Sequence, residues 1–410
     1  MNKWGQWVYK SIKSALKLGV YFFMKTLSYI FPLRSRVVFS GLNGKIYNDN
    51  SRFISERLLF LYPKIKQLWI VDQPRVFKTK DSRITFIKRN SLKSFYYLAT
   101  SMIWVDCSSK MNRLYKRESQ VYINTWHGDR GIKKVVYDDE HFLNSIKKTK
   151  RPVFEEHACD VMIAGSKYGI KRFRQAFRYQ GAILNIGSPR NDILLNHTQV
   201  DIDKVKNRLG ISKRMKVLLY APTFRRNYNF MSEKNDLDFN KMIEVLENTT
   251  GQEWVIMFRH HFANIIQQYT EDKVLDVTHY PEMNELLLIT DVLISDYSSS
   301  VGDFLLLKRP VILYHNDVND YKSIEREINI DLNQSNYSIA KNYTELISIL
   351  GRISEVDWNK SCERTLNYYG AFETGKASDI TARLIAELID QACLNKTAII
   401  NQFKEEYDNF

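Results

Sequence analysis

The sequence predicts an α/β protein made of two halves, each with a parallel sheet flanked by helices. Short runs rich in β-branched and aromatic residues alternate with stretches of helical spacing, which is typical of parallel sheets. The polar segment 193–214 interrupts this alternation once, and the alternation then restarts. In open parallel sheets ligands lie beyond the carboxyl ends of the strands, so we expect a cleft lined by the loops that follow the strands.

The composition favours a globular protein with an anionic partner. The chain has 410 residues, 44% of them hydrophobic, which is ample for two packed domains. Its formal net charge of +14 suits nucleic acid, an anionic membrane or a phosphorylated substrate. The four cysteines show no CxxC or Cys/His spacing. The sequence therefore predicts neither a zinc site nor a disulfide scaffold, and it fits a reducing cytosol.

Residues 1–36 form a basic segment of helical periodicity. They contain seven Lys and Arg residues and no acid, and their apolar residues recur on one helical face. Lys17 and Lys25 interrupt the apolar run, whereas a spanning helix needs about 20 largely uncharged residues. We interpret the segment as an amphipathic helix that associates with an anionic membrane surface. The alternative is an ordinary helix packed on its own domain.

The first half is assigned to residues 37–200, after Pro32 ends the basic segment. Its helical patterns cover residues 51–63 and 91–101. Its strand-like runs are at residues 36–41, 67–72, 83–88, 102–108, 119–124, 159–166 and 182–192.

The second half is assigned to residues 201–375, and a helical segment to residues 376–410. Helical spacing occurs at residues 239–250 and over most of 341–395, and an apolar run occupies 282–290. The strand-like runs are at residues 216–223, 253–261, 274–280, 291–294 and 310–315.

The segment LISDYSSSVGDFLLLKRP, residues 293–310, carries the strongest chemical signal. A strand runs into Ser295, Asp296 and then Ser298–Ser300, and an apolar helical pattern follows. Serines at a helix N-terminus offer backbone N–H groups and hydroxyls to an anion. A simple N-cap is the alternative, but three serines after Ser-Asp exceed what one cap requires.

Two other strands of the second half end in residue types that bind phosphate. FRHH, residues 258–261, ends one strand, and YAPTFRR, residues 220–226, follows another. Charge-assisted hydrogen bonds from such residues to phosphate are strong. Adjacent histidines point to opposite faces of a strand, so a shared metal ion is not expected. Which of His260 and His261 faces the cleft stays open.

The stretch TWHG, residues 125–128, follows a strand of the first half. A histidine at a strand end suits a general base near neutral pH, although a lone histidine there is usually structural. Across a cleft from an anion-binding half, His127 becomes the candidate base. The loop GSPRND, residues 187–192, adds Arg190 and Asn191, which suit a phosphate or an acceptor. No Walker, GxGxxG, GxSxG or HExxH motif is present, which argues against kinases, dehydrogenases, hydrolases and zinc proteases.

In this order the motifs resemble those of the CDP-glycerol:poly(glycerophosphate) glycerophosphotransferases, the teichoic acid polymerases and primases of Gram-positive bacteria. Related members use CDP-ribitol, and some serve capsule synthesis. The matching pieces are distributed from about residue 40 to residue 378, a span of nearly all of the chain. They are GLNGKIYNDNSRFISERL (41–58), NTWHG (124–128), GSPRND (187–192), YAPTFR (220–225), FRHH (258–261), the long segment 282–314 and GKAS (375–378).

The resemblance implies a GT-B fold, in which two Rossmann-like domains face a cleft. It implies an enzyme that transfers glycerol phosphate or ribitol phosphate from a CDP-polyol to a membrane-linked or polysaccharide acceptor and releases CMP. It also implies a peripheral, monotopic protein at the cytoplasmic face of the plasma membrane, with no bound metal and no cofactor. The basic N-terminal segment agrees with that location.

The resemblance further suggests a role for each motif residue. The catalytic residues are His127, as the base, and His261, which the family pattern Arg-x-His favours over His260. The residues expected to bind the donor phosphates are Thr223, Arg225, Arg259, His260 and Ser298, Ser299 and Ser300. The residues expected to bind the nucleotide are Glu285, Ser295 and Asp296. Those expected to bind the acceptor or the polyol are Asp129, Arg130, Lys133, Arg190 and Asn191.

One departure from the family pattern lies beside the candidate base. The family commonly continues Trp-His-Gly with Thr-Pro-Leu-Lys, whereas this chain has Asp129-Arg130-Gly131-Ile132-Lys133. The polyol, the acceptor, the oligomeric state and the choice between primase, polymerase and capsule modification therefore stay open. Two alternatives remain: a glycosyltransferase that uses a nucleotide sugar, and a non-enzymatic binder of nucleic acid, for which no motif is present.

Overall fold

The computed structural model describes residues 3–77, 83–108, 111, 114–149, 158–223, 237–259 and 273–407. Two sheets, each entirely parallel, organise these residues. The first has seven strands in the order β3-β2-β1-β4-β5-β6-β7. These strands are β1 (Arg34–Ser40), β2 (Lys66–Val71), β3 (Ile84–Lys88), β4 (Ser101–Asp106), β5 (Val121–Asn124), β6 (Val161–Ala164) and β7 (Ala182–Asn185).

The second sheet has six strands in the order β10-β9-β8-β11-β12-β13. These strands are β8 (Lys216–Ala221), β9 (Trp254–Phe258), β10 (Val274–Asp276), β11 (Val292–Ser295), β12 (Val311–Tyr314) and β13 (Ser338–Ala340). The predicted α/β class with two parallel sheets is thereby confirmed. The sequence showed it because β4, β5, β9 and β11 are buried along their whole length, so that each reads as a continuous apolar run.

Fifteen α-helices connect or flank the strands within the described residues. In chain order they are α1 (Lys3–Ile30), α2 (Asp49–Leu61), α3 (Leu92–Thr100), α4 (Glu140–Thr149), α5 (Lys167–Ala176), α6 (Asp192–Asn196), α7 (Gln199–Arg208), α8 (Phe239–Thr250), α9 (Met283–Ile289), α10 (Ser300–Phe304), α11 (Val318–Ile324), α12 (Tyr343–Leu350), α13 (Trp358–Tyr369), α14 (Ala377–Asp390) and α15 (Lys396–Tyr407).

Each sheet reverses its strand order at one point, and these two points position the site. In the first sheet the order reverses between β1 and β4, so the carboxyl ends of these strands, at Ser40 and Asp106, flank a crevice. In the second sheet it reverses between β8 and β11, which end at Ala221 and Ser295. Ligands of open parallel sheets bind at such switch points. The loops that carry TWHG and SDYSSS follow strands next to these reversals.

The chain crosses between the two packing units twice. Leu194 of α6 and Val205 of α7 lie in the core of the second sheet, together with Leu219. Helices α14 and α15 return to the first sheet, where Leu384 and Phe403 share a core with its strands. The first sheet is therefore covered partly by the last residues of the chain.

The polar segment 193–214, which we read as the region between the domains, contains helix α7. This polar helix begins with a capping box, in which the side chains and backbone N–H groups of Thr198 and Asp201 hydrogen-bond reciprocally. The short edge strand β13 has no counterpart in the predicted elements, because three residues carry too little periodicity to be recognised.

Helix α1 is the long helix of the basic N-terminal segment. Met24 and Ser28 face inward and are buried, and Val20 and Leu27 pack beside Met24. On the rest of its circumference the helix leaves apolar side chains exposed, among them Leu16 (65%), Phe22 (55%) and Ile30 (63%). Within the described residues, none of the helices combines the length and the apolar character needed to cross a bilayer.

Candidate active site between the two halves

His127 lies just beyond the carboxyl end of β5, with its ring partly buried. Its Nδ1 is 2.8 Å from the backbone oxygen of Cys107, which follows β4. A carbonyl oxygen can only accept, so Nδ1 carries the proton, and the neutral ring keeps a lone pair on Nε2. Burial lowers the pKa of His127, and the cations of Arg190 and Arg172 act in the same direction against Asp49. The imidazole is therefore neutral at physiological pH, which is the state that a general base requires.

Arg172 of α5 holds the loop after His127 through hydrogen bonds to its backbone. Its guanidinium donates hydrogen bonds to the backbone oxygens of Gly128 (3.0 Å) and Gly131 (3.1 Å), and also to that of Lys133. One buried cation thus holds three backbone carbonyl groups of this loop. This residue was not singled out from the sequence, because nothing in its helix distinguishes it from the neighbouring basic residues.

The serine cluster of the second half meets the His127 loop directly. Ser299 Oγ donates to the backbone oxygen of His127 at 3.3 Å, and a side chain at Gly128 would lie 3.3 Å from Ser299 Oγ. Ser298 Oγ accepts hydrogen bonds from the backbone N–H (3.3 Å) and the hydroxyl (2.8 Å) of Ser300. The structure therefore brings together two motifs that are about 170 residues apart in the sequence, with Ser298 and Ser299 only partly buried.

Ser295 and Asp296 fix the backbone at the switch point of the second sheet. Ser295 is fully buried, and its hydroxyl donates to the oxygen of Ala221 at 2.6 Å. The carboxylate of Asp296 accepts from Thr223, both from its N–H (2.9 Å) and from its hydroxyl (3.1 Å), and from the N–H of Tyr297. These contacts tie the ends of β8 and β11 together. They orient the loops that we expected to bind the donor.

Arg259 follows β9 and is the described member of the FRHH motif. Its guanidinium donates to the sulfur of Met283 at 3.3 Å, and among the described residues no carboxylate lies within ion-pair distance of it. A thioether is a weak acceptor, and burial lowers the pKa of Arg259. A partly buried cation whose described side-chain partner is so weak is suited to an anionic ligand. Arg225, His260 and His261 lie outside the described residues.

Arg130 is fully buried between the two halves. It pairs with Glu373 at 2.7 Å and with Asp303 of α10 at 3.1 Å, and its Nε donates to the oxygen of Gly302 at 3.0 Å. All of its donors face protein groups, so we assign it to the contact between the halves. Its neighbour Asp129 is also buried, where it accepts from the hydroxyl of Ser166 at 2.5 Å.

Arg190 and Asn191 join the same buried network. Arg190 pairs with Asp49 at 3.1 Å and with Asp303 at 2.7 Å. The Asn191 amide donates to Asp303 (3.1 Å) and to Glu373 (2.8 Å). We had expected Arg130, Arg190 and Asn191 at the acceptor, but all three are buried, and most of their polar groups bond protein partners.

Glu285 occupies a second ionic cluster between the halves. It pairs with Arg52 of α2 at 2.9 Å and with Arg208 of α7 at 3.0 Å, and it accepts from the hydroxyl of Tyr280 at 2.5 Å. Its buried neighbour Glu282 accepts from the N–H of Asp49 at 3.0 Å. A carboxylate with three protein donors has little capacity left for a ribose, so the expected contact with the nucleotide has no support in this geometry.

The segment after Arg130 docks onto the second half. Ile132 is fully buried in the core of the second sheet, and its oxygen accepts from the N–H of Asn329 at 2.7 Å. Lys133 pairs with Ile328 in an antiparallel bridge, and the side chain of Lys133 is partly buried. The departure from the family pattern thus forms a contact between the halves. Among the residues expected at the acceptor, only Lys133 keeps an accessible side chain.

Several residues of the interface were missed by the motif analysis. Asp49 and Asn50 lie within the quoted stretch 41–58, Asp303 lies within 282–314, and Glu373 shortly precedes GKAS. Asp303 had a detectable signal, because an acid in the apolar pattern VGDFLLLK requires a buried cationic partner. Among the described residues, no group of three or more His, Cys, Asp or Glu side chains is arranged to hold a metal ion.

Comparison with known proteins gives one family and one closely similar fold. Residues 23–387 match the family described as CDP-Glycerol:Poly(glycerophosphate) glycerophosphotransferase. A teichoic acid poly(glycerol phosphate) polymerase of Bacillus subtilis is 30% identical over 85% of this chain, which spans 48% of that relative's length. A teichoic acid ribitol-phosphate primase of Bacillus spizizenii is 28% identical over 89% of this chain and 94% of its own length. A structure of the wall teichoic acid polymerase TagF, soaked with CDPG, superposes with a TM-score of 0.77 at 26% identity, covering 95% of this chain and 99% of that one.

Proposed function

The chain belongs to the CDP-glycerol:poly(glycerophosphate) glycerophosphotransferase family, and we propose that it transfers a polyol phosphate from a CDP-polyol to an acceptor hydroxyl in teichoic acid or capsule synthesis. The chain spans about half the length of the Bacillus subtilis polymerase but nearly all of the ribitol-phosphate primase. The two relatives differ in polyol, so CDP-glycerol and CDP-ribitol are both candidate donors.

The observation that carries the proposal is the state of His127. With Nδ1 bonded to the oxygen of Cys107, Nε2 accepts the proton of the acceptor hydroxyl. The acceptor oxygen then attacks the β-phosphorus of the CDP-polyol, and the bond from that phosphorus to the bridging oxygen breaks. CMP leaves with the bonding electrons, and the polyol phosphate becomes a phosphodiester of the acceptor.

The second half supplies the groups that stabilise the donor phosphates. Arg259, whose guanidinium donates to a thioether in the described part of the chain, neutralises charge that develops on the leaving CMP. Ser299 contacts the His127 loop, and we propose that Ser299 and the neighbouring Ser298 bind the phosphate that the acceptor attacks. We propose Arg225 and His261 as further partners of the phosphates, on the sequence pattern alone.

We further propose that the enzyme works at a membrane surface on a lipid-linked or polysaccharide acceptor. The exposed apolar side chains of α1 support this, because they lie on the part of the helix surface that does not pack on the first domain. The basic residues of the segment, with no acid among residues 1–36, favour an anionic surface. This agrees with a position at the cytoplasmic face of the plasma membrane.

The decisive experiment offers CDP-glycerol and CDP-ribitol separately, with lipid acceptors extracted from membranes, and measures CMP and radiolabelled product. We expect CMP from one donor at least, and a loss of about 10²- to 10⁴-fold in kcat for His127→Gln. CMP from neither donor, or a nucleoside diphosphate released from a nucleotide sugar, would reject the proposal. Unchanged turnover in the His127→Gln variant would reject the assigned base.

A further inference from the structure

Trp126, the residue before the candidate base, has an unusual backbone conformation. Its φ is +51°, in the left-handed region that a bulky side chain seldom adopts. Strained residues of this kind persist only where the surroundings hold them, and they are concentrated at functional sites. The indole ring packs against the His127 imidazole with centroids 4.2 Å apart and against Phe177 at 4.7 Å. The backbone conformation of Trp126 therefore sets the direction in which the His127 side chain points.

Two buried asparagines hold the two peptide groups of Trp126. The N–H of Trp126 donates to Asn124 Oδ1 at 2.8 Å, and the Trp126 oxygen accepts from Asn50 Nδ2 at 2.9 Å. Asn50 belongs to α2, more than 70 residues away in the sequence, and only 2% of it is exposed. The Thr125 hydroxyl is a second donor to the same oxygen, at 3.1 Å, but it comes from the adjacent residue and gives no tertiary restraint.

The orientation of the Asn50 amide is determined by its partners. Its Oδ1 accepts from the N–H of Arg190 at 2.9 Å, whereas its Nδ2 faces the carbonyl of Trp126. A flipped amide would set an oxygen against an oxygen and an N–H against an N–H. The side chain thus connects the TWHG loop to the GSPRND loop, whose Arg190 reaches Asp303 of the other half.

We propose that Asn50 is a positioning residue for the transfer reaction, which fixes Trp126 in its left-handed conformation and thereby aims Nε2 of His127 at the acceptor. This inference rests on the proposed function for its kinetic consequences only. Asn50 acts through Trp126 on the direction of the ring, and it contributes no group to the reacting atoms.

The first test compares Asn50→Ala and Asn50→Asp with the wild type in CMP release. Both variants lose the donor to Trp126, and Asp is nearly isosteric with Asn but places an acceptor against the carbonyl. We expect kcat to fall about 10- to 100-fold with the KM for the CDP-polyol unchanged within about twofold, because misaligned reactants lose rate and not ground-state affinity. The matched control is Asn342→Ala, which removes the N-cap of α12, where Asn342 Oδ1 accepts from the N–H of Glu345 at 2.9 Å.

A pH titration separates positioning from general loosening. The charged groups that influence the His127 imidazole include Asp49, Arg172 and Arg190, and Asn50→Ala removes none of these charges. In this variant we expect the ring to become more hydrated, which raises the pKa of His127. The acid limb of the pH profile of kcat/KM should therefore move to higher pH. The same shift is expected in the titration of the His127 signal in ¹⁵N-histidine-labelled protein, assigned by its loss in His127→Gln.

The outcomes distinguish the two proposals. Wild-type protein that forms no CMP contradicts the proposed function, while the NMR titration still tests the placement of His127. A folded Asn50→Ala variant with unchanged kcat, or with an unmoved His127 titration, would overturn the positioning role. An equal loss of kcat in Asn342→Ala would do so as well, since the effect would then be one of stability.

Discussion

At the scale of single residues, His127 and Arg259 differ in how well protein contacts fix their side chains. His127 is fixed by a backbone oxygen on Nδ1 and by ring packing on Trp126. Arg259 is enclosed with a thioether as its hydrogen-bond partner. A charged group kept in an unfavourable environment usually serves function at the expense of stability. We therefore expect substitution of Arg259 to lower activity without lowering the stability of the fold.

We predict that Arg259→Met reduces activity while preserving or increasing stability. Methionine fills a similar volume beside Met283 and removes a cation that, among the described residues, has no carboxylate within ion-pair distance. We expect kcat/KM for the CDP-polyol to fall at least 10-fold and the free energy of unfolding to stay equal or to rise by about 1 kcal/mol. Urea titration and CMP release measure the two effects.

Arg309→Met is the matched control, because Arg309 is also an enclosed cation whose pKa is lowered by burial. Its guanidinium donates to the oxygens of Leu288 (2.8 Å) and Thr290 (2.6 Å), so its loss should destabilise the fold and leave turnover per folded molecule unchanged. A marked loss of stability in Arg259→Met would contradict the assignment of a strained, ligand-binding cation.

The sequence predicted the types of residue at the candidate site, but it did not predict the residues with which these side chains form hydrogen bonds and ion pairs. His127, Arg259 and the serine cluster follow strands, and the carboxyl ends of parallel strands meet at one edge of each sheet. Arg130 follows a strand in the same way, yet it meets Asp303 from 173 positions further along the chain. Spacing along one chain does not reveal whether a cation faces a phosphate or a carboxylate of the other domain.

At the scale of elements, the loop from Gly128 to Lys134 works as part of both halves. Arg172 of the first half holds its backbone, while Ile132 is buried in the core of the second. The loop that follows the base is therefore anchored to the domain that we assign to the donor. A change in its docking should alter the position of His127 as well as stability.

We predict that Ile132→Ala lowers kcat in addition to destabilising the protein. The truncation of a fully buried isoleucine costs about 2–5 kcal/mol, and Ile132→Val costs about 1 kcal/mol. We expect kcat per folded molecule to fall at least fivefold for Ala and little for Val. The control is Ile385→Ala in the core of the first sheet, which should lose similar stability without loss of kcat. Equal kcat for Ile132→Ala and wild type would show that the docking does not position the base.

Helix α1 gives a second prediction at this scale. Replacing Leu16, Phe22 and Ile30 by serine should reduce binding to vesicles with anionic lipid at least 10-fold, because burial of apolar side chains and charge attraction act together. The melting temperature should stay the same, since these side chains are exposed. Phe60→Ser with Leu394→Ser, exposed by 73% and 82% elsewhere on the surface, should leave vesicle binding intact. Sedimentation with vesicles measures all three proteins, and undiminished binding of the triple variant would reject the membrane role.

Elements were predicted best where one physical signal was strong. Strands buried on both faces read as apolar runs, and α2, α3 and α8 show clear helical spacing. The polar helix α7 depends on its capping box and on contacts with α9, which periodicity does not register. Helix α10, expected as one apolar helix, ends at Phe304 and continues as a 3₁₀ turn over Leu305–Leu307.

At the scale of the whole molecule, several carboxyl groups are buried where different segments of the chain pack together. Burial raises the pKa of Asp106, Asp192 and Glu282 to about 7 and that of Asp129 to about 6. In the unfolded chain such carboxyls titrate near 4. A folded pKa above the unfolded one stabilises the fold at low pH, and this contribution is lost as the pH rises through the folded value.

We predict that the free energy of unfolding decreases between about pH 5 and pH 8, and that Glu282→Gln reduces this decrease. Glutamine still accepts the N–H of Asp49 and carries no charge to desolvate. The contribution of Glu282 is at most about 3 kcal/mol over this range. Urea midpoints at pH 5.5 and 8 measure it, with the exposed Glu355→Gln as the control. A slope in Glu282→Gln equal to that of the wild type would contradict the prediction.

The return of α14 and α15 to the first sheet has a consequence during synthesis on the ribosome. Strand β1 is made early, but Leu384 and Phe403, which cover the same core, are made about 350 residues later. At about 5–20 residues per second the wait is roughly 20–70 s. For most of this time α1 is already outside the ribosome, so we expect the nascent chain to reach a membrane before its first domain is closed. Chains arrested before Ala377 should then be cleaved by protease within β1–β4 while their second sheet is protected, and equal protection of both sheets would contradict this order of folding.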